Sequence, residues 1–453
     1  MNTILLQPTD VLFFRDGRPM TGALAGHGAA WPLPNTINSA FHAALHRSGF
    51  AEKAHSHRRG ARGSYAGDAQ RDRKFGSLVT AGPFPVKDKK TWFFPRPHDL
   101  QDATLKPALL PVDAFDHARS SLPKPLKYAA ANLLPPNKES GAKAWLSKEA
   151  CERYLNGSDS TLKADESMND EEFFDTEHSI GIAIDSETGT AGQGDATGKL
   201  YSAHYLRLRE KWQLGVCAGA EDKDFALPQQ GNDLVKALLT DGHRQIIIGG
   251  QQRICSASRV DSSALPLPRG KTDRFHERNG KFLVKWILLT PAVWPEIKAD
   301  ATRTINGHPG GWLPNWINSQ TGEVLLKAGD TVRRDRENRD VWRQRVRQQE
   351  NVFAKLVAAI VPKPLVITGW ALPDESIGEL GGAQSSHLAV PAGAVYYFEA
   401  DSASEAKKLA NALNWHGVTD GTEIKNRRSA LLGEKGFGLG VCGTWEFFQE
   451  AKA

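Results

Sequence analysis

The residues with the clearest chemical potential are glycines near the carboxyl end. Gly436-Phe437-Gly438-Leu439-Gly440, running on to Gly443, contains a formal G-x-G-x-x-G at Gly438, Gly440 and Gly443. A dinucleotide-binding fingerprint of that form must follow a strand, open a helix and meet an acidic residue about 20 positions later. The short sequence after Gly443 leaves no room for the helix or the acid, so that chemistry is not expected. Glycines in such a run still give backbone freedom and close approach, which can turn N–H groups towards a phosphate or simply make a tight strand connection. Lys435 beside them, with Arg427 and Arg428 just upstream, suits the first reading. Gly249-Gly250 with Arg253 has the same character.

Signatures of catalysis are sparse. His42 and His46 have the spacing of two metal-binding histidines on a helix, but Ala43 stands where H-E-x-x-H carries its general base, so they are expected to be helix-face histidines. His98-Asp99 is a dipeptide used by metal-dependent phosphohydrolases, yet no second His/Asp cluster complements it. No G-x-x-x-x-G-K-[ST] loop is present. Cys151, Cys217, Cys255 and Cys442 are far apart and form no C-x-x-C pair, which argues against a zinc knuckle or a disulfide framework. No catalytic residue, metal or cofactor is expected.

The composition is that of a globular protein, with 40% hydrophobic and 24% charged residues and a net charge of +5. Its length suggests two or three domains. The charge is uneven: Lys53 to Lys74 is a basic insertion with His55, His57, Tyr65 and Phe75 in or beside it, suited to single-stranded RNA or equally to disorder. The segment from Asp159 to Asp185 is strongly acidic and should avoid a phosphate backbone. No basic leader or membrane-length apolar run is present, so a cytoplasmic protein without membrane contact is expected.

The elements that must position these residues follow from periodicity. Ile4–Phe14 reads as a strand ending at the turn that carries Arg15 and Arg18, which either bind a ligand or pair with Asp16. A loop with Gly22, Gly26 and Gly28 leads to an amphipathic helix over Pro34–His46. Strands recur at 77–84 and 91–94, and residues 135–177 read as an exposed acidic connection with one short helix. Ser179–Asp185 and Leu200–Leu208 form a long hairpin. Further strands are expected at 245–248 and 282–289. Asp335–Ile360 reads as one helix with Arg339, Arg343 and Arg347 along one face, a stripe for phosphates, an acidic partner or solvent. Strand 394–400, a capping box at Ser402 and Glu405, a helix to Trp415 and a last strand at 444–448 close the chain. A β-α unit at each end with antiparallel strands between predicts an α+β protein of two ferredoxin-like (RRM-like, split βαβ) domains. Their expected spans are 1–240 and 241–453, with long insertions at 53–74 and 135–177 and a glycine-rich loop at 433–443.

Asp10-Val11-Leu12-Phe13-Phe14-Arg15-Asp16-Gly17-Arg18-Pro19 resembles the amino-terminal signature of the third subunits of type III-B (Cmr-type) CRISPR effector complexes, within the repeat-associated mysterious protein (RAMP) superfamily. Trp31-Pro32-Leu33-Pro34, Gly82-Pro83-Phe84, Phe94-Pro95-Arg96-Pro97, Gly249-Gly250, Gly369-Trp370, Pro391 to Phe398 and Gly436-Phe437-Gly438 are similar to it in order; Ala371 departs where an acid would follow the Trp. The resemblance implies a non-catalytic RNA-binding subunit in antiviral defence that caps the 5′ tag of the guide RNA (crRNA). Its implied partners are the guide–target duplex, the large polymerase-like subunit and a backbone RAMP subunit. It places Arg15, Arg18, Gly26, His27, Gly249, Gly250, Arg253, Arg427, Lys435, Gly436, Phe437 and Gly438 near RNA. The 179–208 hairpin becomes a thumb, with Ile182, Asp185, Thr188, Leu200 and Tyr201 as candidate contacts. Two alternatives remain: a metal-independent endoribonuclease using His27 as base, and a purely structural subunit.

Overall fold

The computed structural model describes residues 1–14, 24–25, 31–48, 78–101, 103–114, 121–133, 142–158, 160–191, 200–220, 233–240, 243–300, 302, 306–329, 338–368, 370–371, 382–383 and 385–448. Two largely antiparallel sheets organise it. The first has the order β12-β13-β1-β11-β3-β4-β7-β8. At its heart is β1 (Asn2–Pro8), whose consecutive apolar residues feed both faces. Ile4 and Leu6 enter one core and Leu5 another, as the two-residue period of a strand requires. β1 is flanked by β11 (Trp212–Ala220) and β13 (Ile254–Val260), pairing Ile4 with Val216 and Arg259. β3 (Leu78–Lys87) continues the sheet on one side and β12 (His243–Ile247) closes it on the other. Beyond β3 lie β4 (Thr91–Pro95), β7 (Trp145–Ser147) and β8 (Ser167–Met168).

α1 (Pro34–Arg47), opened by its helix-compatible proline, lays Ile37, Phe41 and Leu45 on the outer face of this sheet. α3 (Leu234–Leu238) joins it there, with Asp233 accepting from the backbone N–H groups of Val235 and Lys236. The first strand is shorter than the apolar run predicts. Pro8 has no N–H to continue the ladder, and the chain bends at Thr9 and Asp10 before Leu12 bridges to Leu206.

The second sheet has the order β14-β15-β21-β16, with β22 also paired to β15. β14 (His276–Arg278) and β22 (Gly440–Thr444) share one edge of β15 (Lys281–Leu288), and β21 (Val395–Ala400) takes the other, followed by β16 (Ala354–Ile360). α5 (Ala403–Leu413) packs Ala406, Leu409, Ala410 and Leu413 against the sheet beside Trp286 and Tyr396. Ser402 caps it, accepting from Glu405 N at 3.2 Å, but the Glu405 carboxylate accepts from Phe353 N at 2.8 Å and thereby ties α5 to the approach to β16.

The inner faces of the two sheets meet in one continuous core. Leu5, Phe84 and Cys217 from the first sheet join Ile287, Val395 and Tyr397 from the second, and Tyr154 and Leu155 of α2 (Lys148–Leu155) pack among them. The acidic 135–177 stretch is therefore no mere exposed connection: α2 buries an apolar face and Glu166 is buried too. A second expectation also changes. Residues 335–360 are not one helix; α4 (Arg339–Arg347) ends at Gln348 and β16 follows. Val352, Ala354 and Leu356 are buried while Phe353 and Lys355 face out, a period of two that overrides the helical spacing. The last strand lies within the glycine-rich run, at β22, four residues earlier than its composition suggested.

A smaller sheet stands apart, formed by β2 (Leu24–Ala25), β9 (Phe174–Ile182) and β10 (Leu200–Leu208). Short pairs are made by β5 (Leu109–Val112) with β6 (Ala129–Asn132), β17 (Leu365–Ile367) with β20 (His387–Ala389), and β18 (Trp370–Ala371) with β19 (Gly382–Ala383). Among the described residues no helix is long and apolar enough to cross a membrane.

Candidate nucleic-acid interface

The glycine-rich run is a tight turn set against α1 and β3. Gly436 has φ +89°, and a Cβ there would sit 2.7 Å from Thr80 O and 3.3 Å from Pro34 Cβ. Gly438 has φ +75°, and its Cβ would fall 2.1 Å from Ser429 N. Both positions thus need glycine for conformation and for space. Their N–H groups are engaged internally, however. Lys435 N and Phe437 N donate to Leu432 O, Gly436 N to Gly433 O and Gly438 N to Pro291 O. Of the two readings of this run, the amides show the tight connection, and close packing explains the glycines. Phe437 is 0% exposed, packed with Val293, Ile367 and Ala389, and offers no ring face to a base.

What remains at this turn is side-chain charge. Lys435 is half-buried at the surface. Arg427 lies alongside, its Cβ 3.8 Å from where a Gly433 Cβ would be. Its Nη1 is sealed from solvent and finds no hydrogen-bond partner among the described residues. Burial pushes its guanidinium below the usual range, partly offset by Glu434. Arg428 is different, being spent on structure. It donates to Ala412 O at the end of α5 and to Asn426 Oδ1, and burial lowers it to about 10. Asn38 of α1 reaches the same corner, donating to Thr80 Oγ1 and to Glu434 O.

The second glycine pair forms the β12–β13 turn. Gly249 has φ +76° and its Cβ would meet Phe13 O at 2.5 Å, while Gly250 N donates to Phe13 O at 2.9 Å. These glycines also serve close packing, here against the amino-terminal signature. Arg253 stacks 5.0 Å over the Tyr205 ring, donates to Gln251 Oε1 and lies 3.7 Å from Asp10. Asp10 is shared, since Arg207 of β10 donates to it at 2.9 Å and also pairs with Glu177. Asp10, Tyr205, Arg207 and Gln251 thus belong to this cluster. Asp10 lay within the recognised motif, but nothing local in the sequence marked the other three, which come together only through the fold.

Arg15, Arg18, Gly26 and His27 lie outside the described residues, as does the basic 53–74 insertion. The described chain leaves at Phe14, packed on Gly249, and returns by Pro34, packed on Gly436. Between them, Leu24 and Ala25 pair in parallel with Tyr201 and Ser202 of β10.

The hairpin of β9 and β10 runs in register from Phe174↔Leu208 to Ile182↔Leu200. Ile180, Ile182 and Ile184 alternate onto one face and are 68%, 51% and 64% exposed. Asp185 and Thr188 build the turn: Asp185 Oδ1 accepts from Glu187 N, Thr188 N and Thr188 Oγ1, which holds its carboxyl below the usual range. For Leu200 and Tyr201 only the backbone is described.

The His98-Asp99 dipeptide does not offer an open ligand. Asp99 is fully buried and accepts from Tyr154 Oη, Tyr397 Oη and Lys285 Nζ. Among the described residues no group of three or more His, Cys, Asp or Glu could hold a metal. All four cysteines are free and buried, and burial pushes their thiols up, Cys255 to about 12.

The chain thus combines two antiparallel β-α sheets, glycine turns and a projecting hairpin. The model of the family described as CRISPR-associated protein (Cas_Cmr3) matches residues 4–445, and the chain belongs to that family. It is the family that the opening signature resembles. No curated protein matches the chain significantly. Among solved structures, a chain from the cryo-EM structure of the type III-B Cmr-beta bound to cognate target RNA is 13% identical, with 87% of this chain and 86% of that one covered at a TM-score of 0.36. A chain from the crystal structure of the Csm3–Csm4 subcomplex of the type III-A CRISPR–Cas interference complex is 9% identical, with 87% and 92% covered at a TM-score of 0.36. Superpositions this loose define neither a shared topology nor a shared site.

Proposed function

We propose that this chain is a non-catalytic guide-RNA-binding subunit of a type III-B CRISPR effector complex. In this role it caps the 5′ tag of the guide and bridges the large polymerase-like subunit to a backbone subunit. The observation that carries this reading is the family match over residues 4–445. The geometry agrees with it. Lys435 places a half-exposed cation on the glycine-rich turn with Arg427 behind it, and a phosphate would pair with the lysine. The hairpin's bare isoleucine ridge suits a wedge against stacked bases better than a clamp on phosphates.

The same reading takes each sheet as a ferredoxin-like module. In the first, β1, α1, β3, β11, α3 and β13 succeed one another along the chain and lie in the order β13-β1-β11-β3. In the second, β15, β16, β21, α5 and β22 lie in the order β22-β15-β21-β16. Both are the 4-1-3-2 antiparallel order of a split βαβ. The module boundary then falls after Val260, not at 240, because β12 and β13 complete the first sheet.

The test is retention of guide RNA in the assembled complex by Lys435→Glu and Arg427→Gln variants over a salt series. Loss of one phosphate contact should flatten the slope of log K against log salt by about 0.7. Unchanged retention would favour a purely structural subunit, and cleavage of repeat RNA by the purified chain would favour the endoribonuclease.

A further inference from the structure

His42 and His46 stand on successive turns of α1, half-buried, with their Nε2 atoms 3.2 Å apart and ring centroids 4.4 Å apart. Two imidazole nitrogens bound to one ion at about 2.0–2.1 Å lie about 3.3 Å apart when the angle at the metal is tetrahedral. The observed spacing, at which one ring can also donate to the other, matches two ligands of one ion. Their i, i+4 separation is that of the paired histidines in helical zinc sites. Ala43 supplies no base beside them, so the geometry describes binding without hydrolysis.

We propose that His42 and His46 form a site for one borderline divalent transition-metal ion of the zinc, nickel and copper class, clamping two turns of α1. Imidazole nitrogen selects this class over magnesium and calcium, which take oxygen. Both rings are half-buried, and these two imidazoles are the ligands assigned. The clamp would act on the helix that carries Asn38 to the glycine-rich turn, one turn before His42. It is independent of the RNA-binding reading and stands or falls without it.

The experiment is zinc titration of the full chain by calorimetry, paired with electron paramagnetic resonance of one equivalent of Cu²⁺. Both are done in a His178→Gln background, because His178 and His204 form a second close pair with centroids 4.6 Å apart. The expected result is one ion per chain, a copper spectrum split by two imidazole nitrogens, and a melting midpoint raised by a few degrees at saturating zinc but not at equal magnesium. Adding His42→Gln and His46→Gln should abolish the splitting and the shift. Absence of saturable binding, a spectrum with fewer than two imidazoles, or a shift that survives the substitutions would overturn the proposal. Single His42→Gln and His46→Gln chains, each expected to lose one of the two coupled nitrogens, keep the assignment testable if the doubly substituted chain folds poorly.

Discussion

Lys285 Nζ lies 3.2 Å from Asp99 Oδ2 with both side chains sealed from solvent, 1% and 0% exposed. The lysine comes from the central strand of the second sheet and the aspartate from the loop after β4, so this ion pair joins the two halves of the molecule. Tyr154 Oη donates to both Asp99 oxygens at 2.6 and 2.7 Å, Tyr397 Oη to one at 3.2 Å, and the ammonium sits 3.6 Å above the Tyr154 ring. Burial lowers the Lys285 pKa, with Asp99 opposing that shift. Both tyrosine hydroxyls are pushed well above their usual range by burial first and by the Asp99 charge second, so they remain donors.

Lys285→Met should therefore cost about 3–5 kcal/mol, because it strands a carboxylate in the core. Adding Asp99→Leu should recover a large part of that loss. Urea unfolding of the two variants checks it: a double variant no more stable than the single one would show that the pair does not act as a unit.

Glu166 supplies a pH signature. Both its oxygens accept from Arg153 at 2.7 Å, and Lys163 N donates to it, so its pKa falls to about 2. A depressed carboxylate stabilises the fold above its unfolded value of about 4.3, and the contribution is lost as pH falls through the folded value. Glu166→Gln should cost about 1 kcal/mol at pH 7, since Arg153 is 34% exposed and partly screened. The gap from the parent should close between about pH 4.5 and pH 2, as followed by denaturant midpoints. A gap that stays constant across that window would contradict the ion-pair origin.

Two glycines with similar backbone angles should respond differently to alanine. At Gly438 a Cβ collides with Ser429, whereas at Gly311, φ +66°, nothing lies within 4 Å. Gly311→Ala should cost about 1 kcal/mol from conformation alone, and Gly438→Ala should cost about 3 kcal/mol or more through the added clash. Equal thermal shifts would mean that the turn is not tightly packed.

Replacing Ile180, Ile182 and Ile184 together by serine should leave folding stability within about 1 kcal/mol, as their side chains are exposed. The same variant should weaken engagement of the guide–target duplex by the assembled complex if the hairpin is a wedge. Target binding by gel shift would separate the two effects, and undiminished binding would remove the wedge role.

The elements with a single dominant pattern were legible in the sequence. The α1 face of Ile37, Phe41 and Leu45, the Ser402 cap of α5 and the β9–β10 hairpin stand close to where periodicity and turn residues put them, with β9 beginning at Phe174, inside the expected acidic connection. Patterns that mix periods were not. From Trp342 to Ile360 helical and strand spacings overlap, and pairing with β21 makes Ala354–Ile360 a strand after α4. The glycine motifs mark points of close packing, where they hold Thr80, Ser429 and Phe13 near. The Arg253, Tyr205 and Asp10 cluster, assembled from distant segments, needed the fold.

The most direct test of the RNA-binding account is ultraviolet crosslinking of guide RNA in the assembled complex, with the crosslinked peptides identified by mass spectrometry. The account predicts crosslinks from the 5′ tag to peptides around Arg427–Lys435 and Tyr205–Arg253. Crosslinks confined to other subunits, with none to this chain, would contradict it.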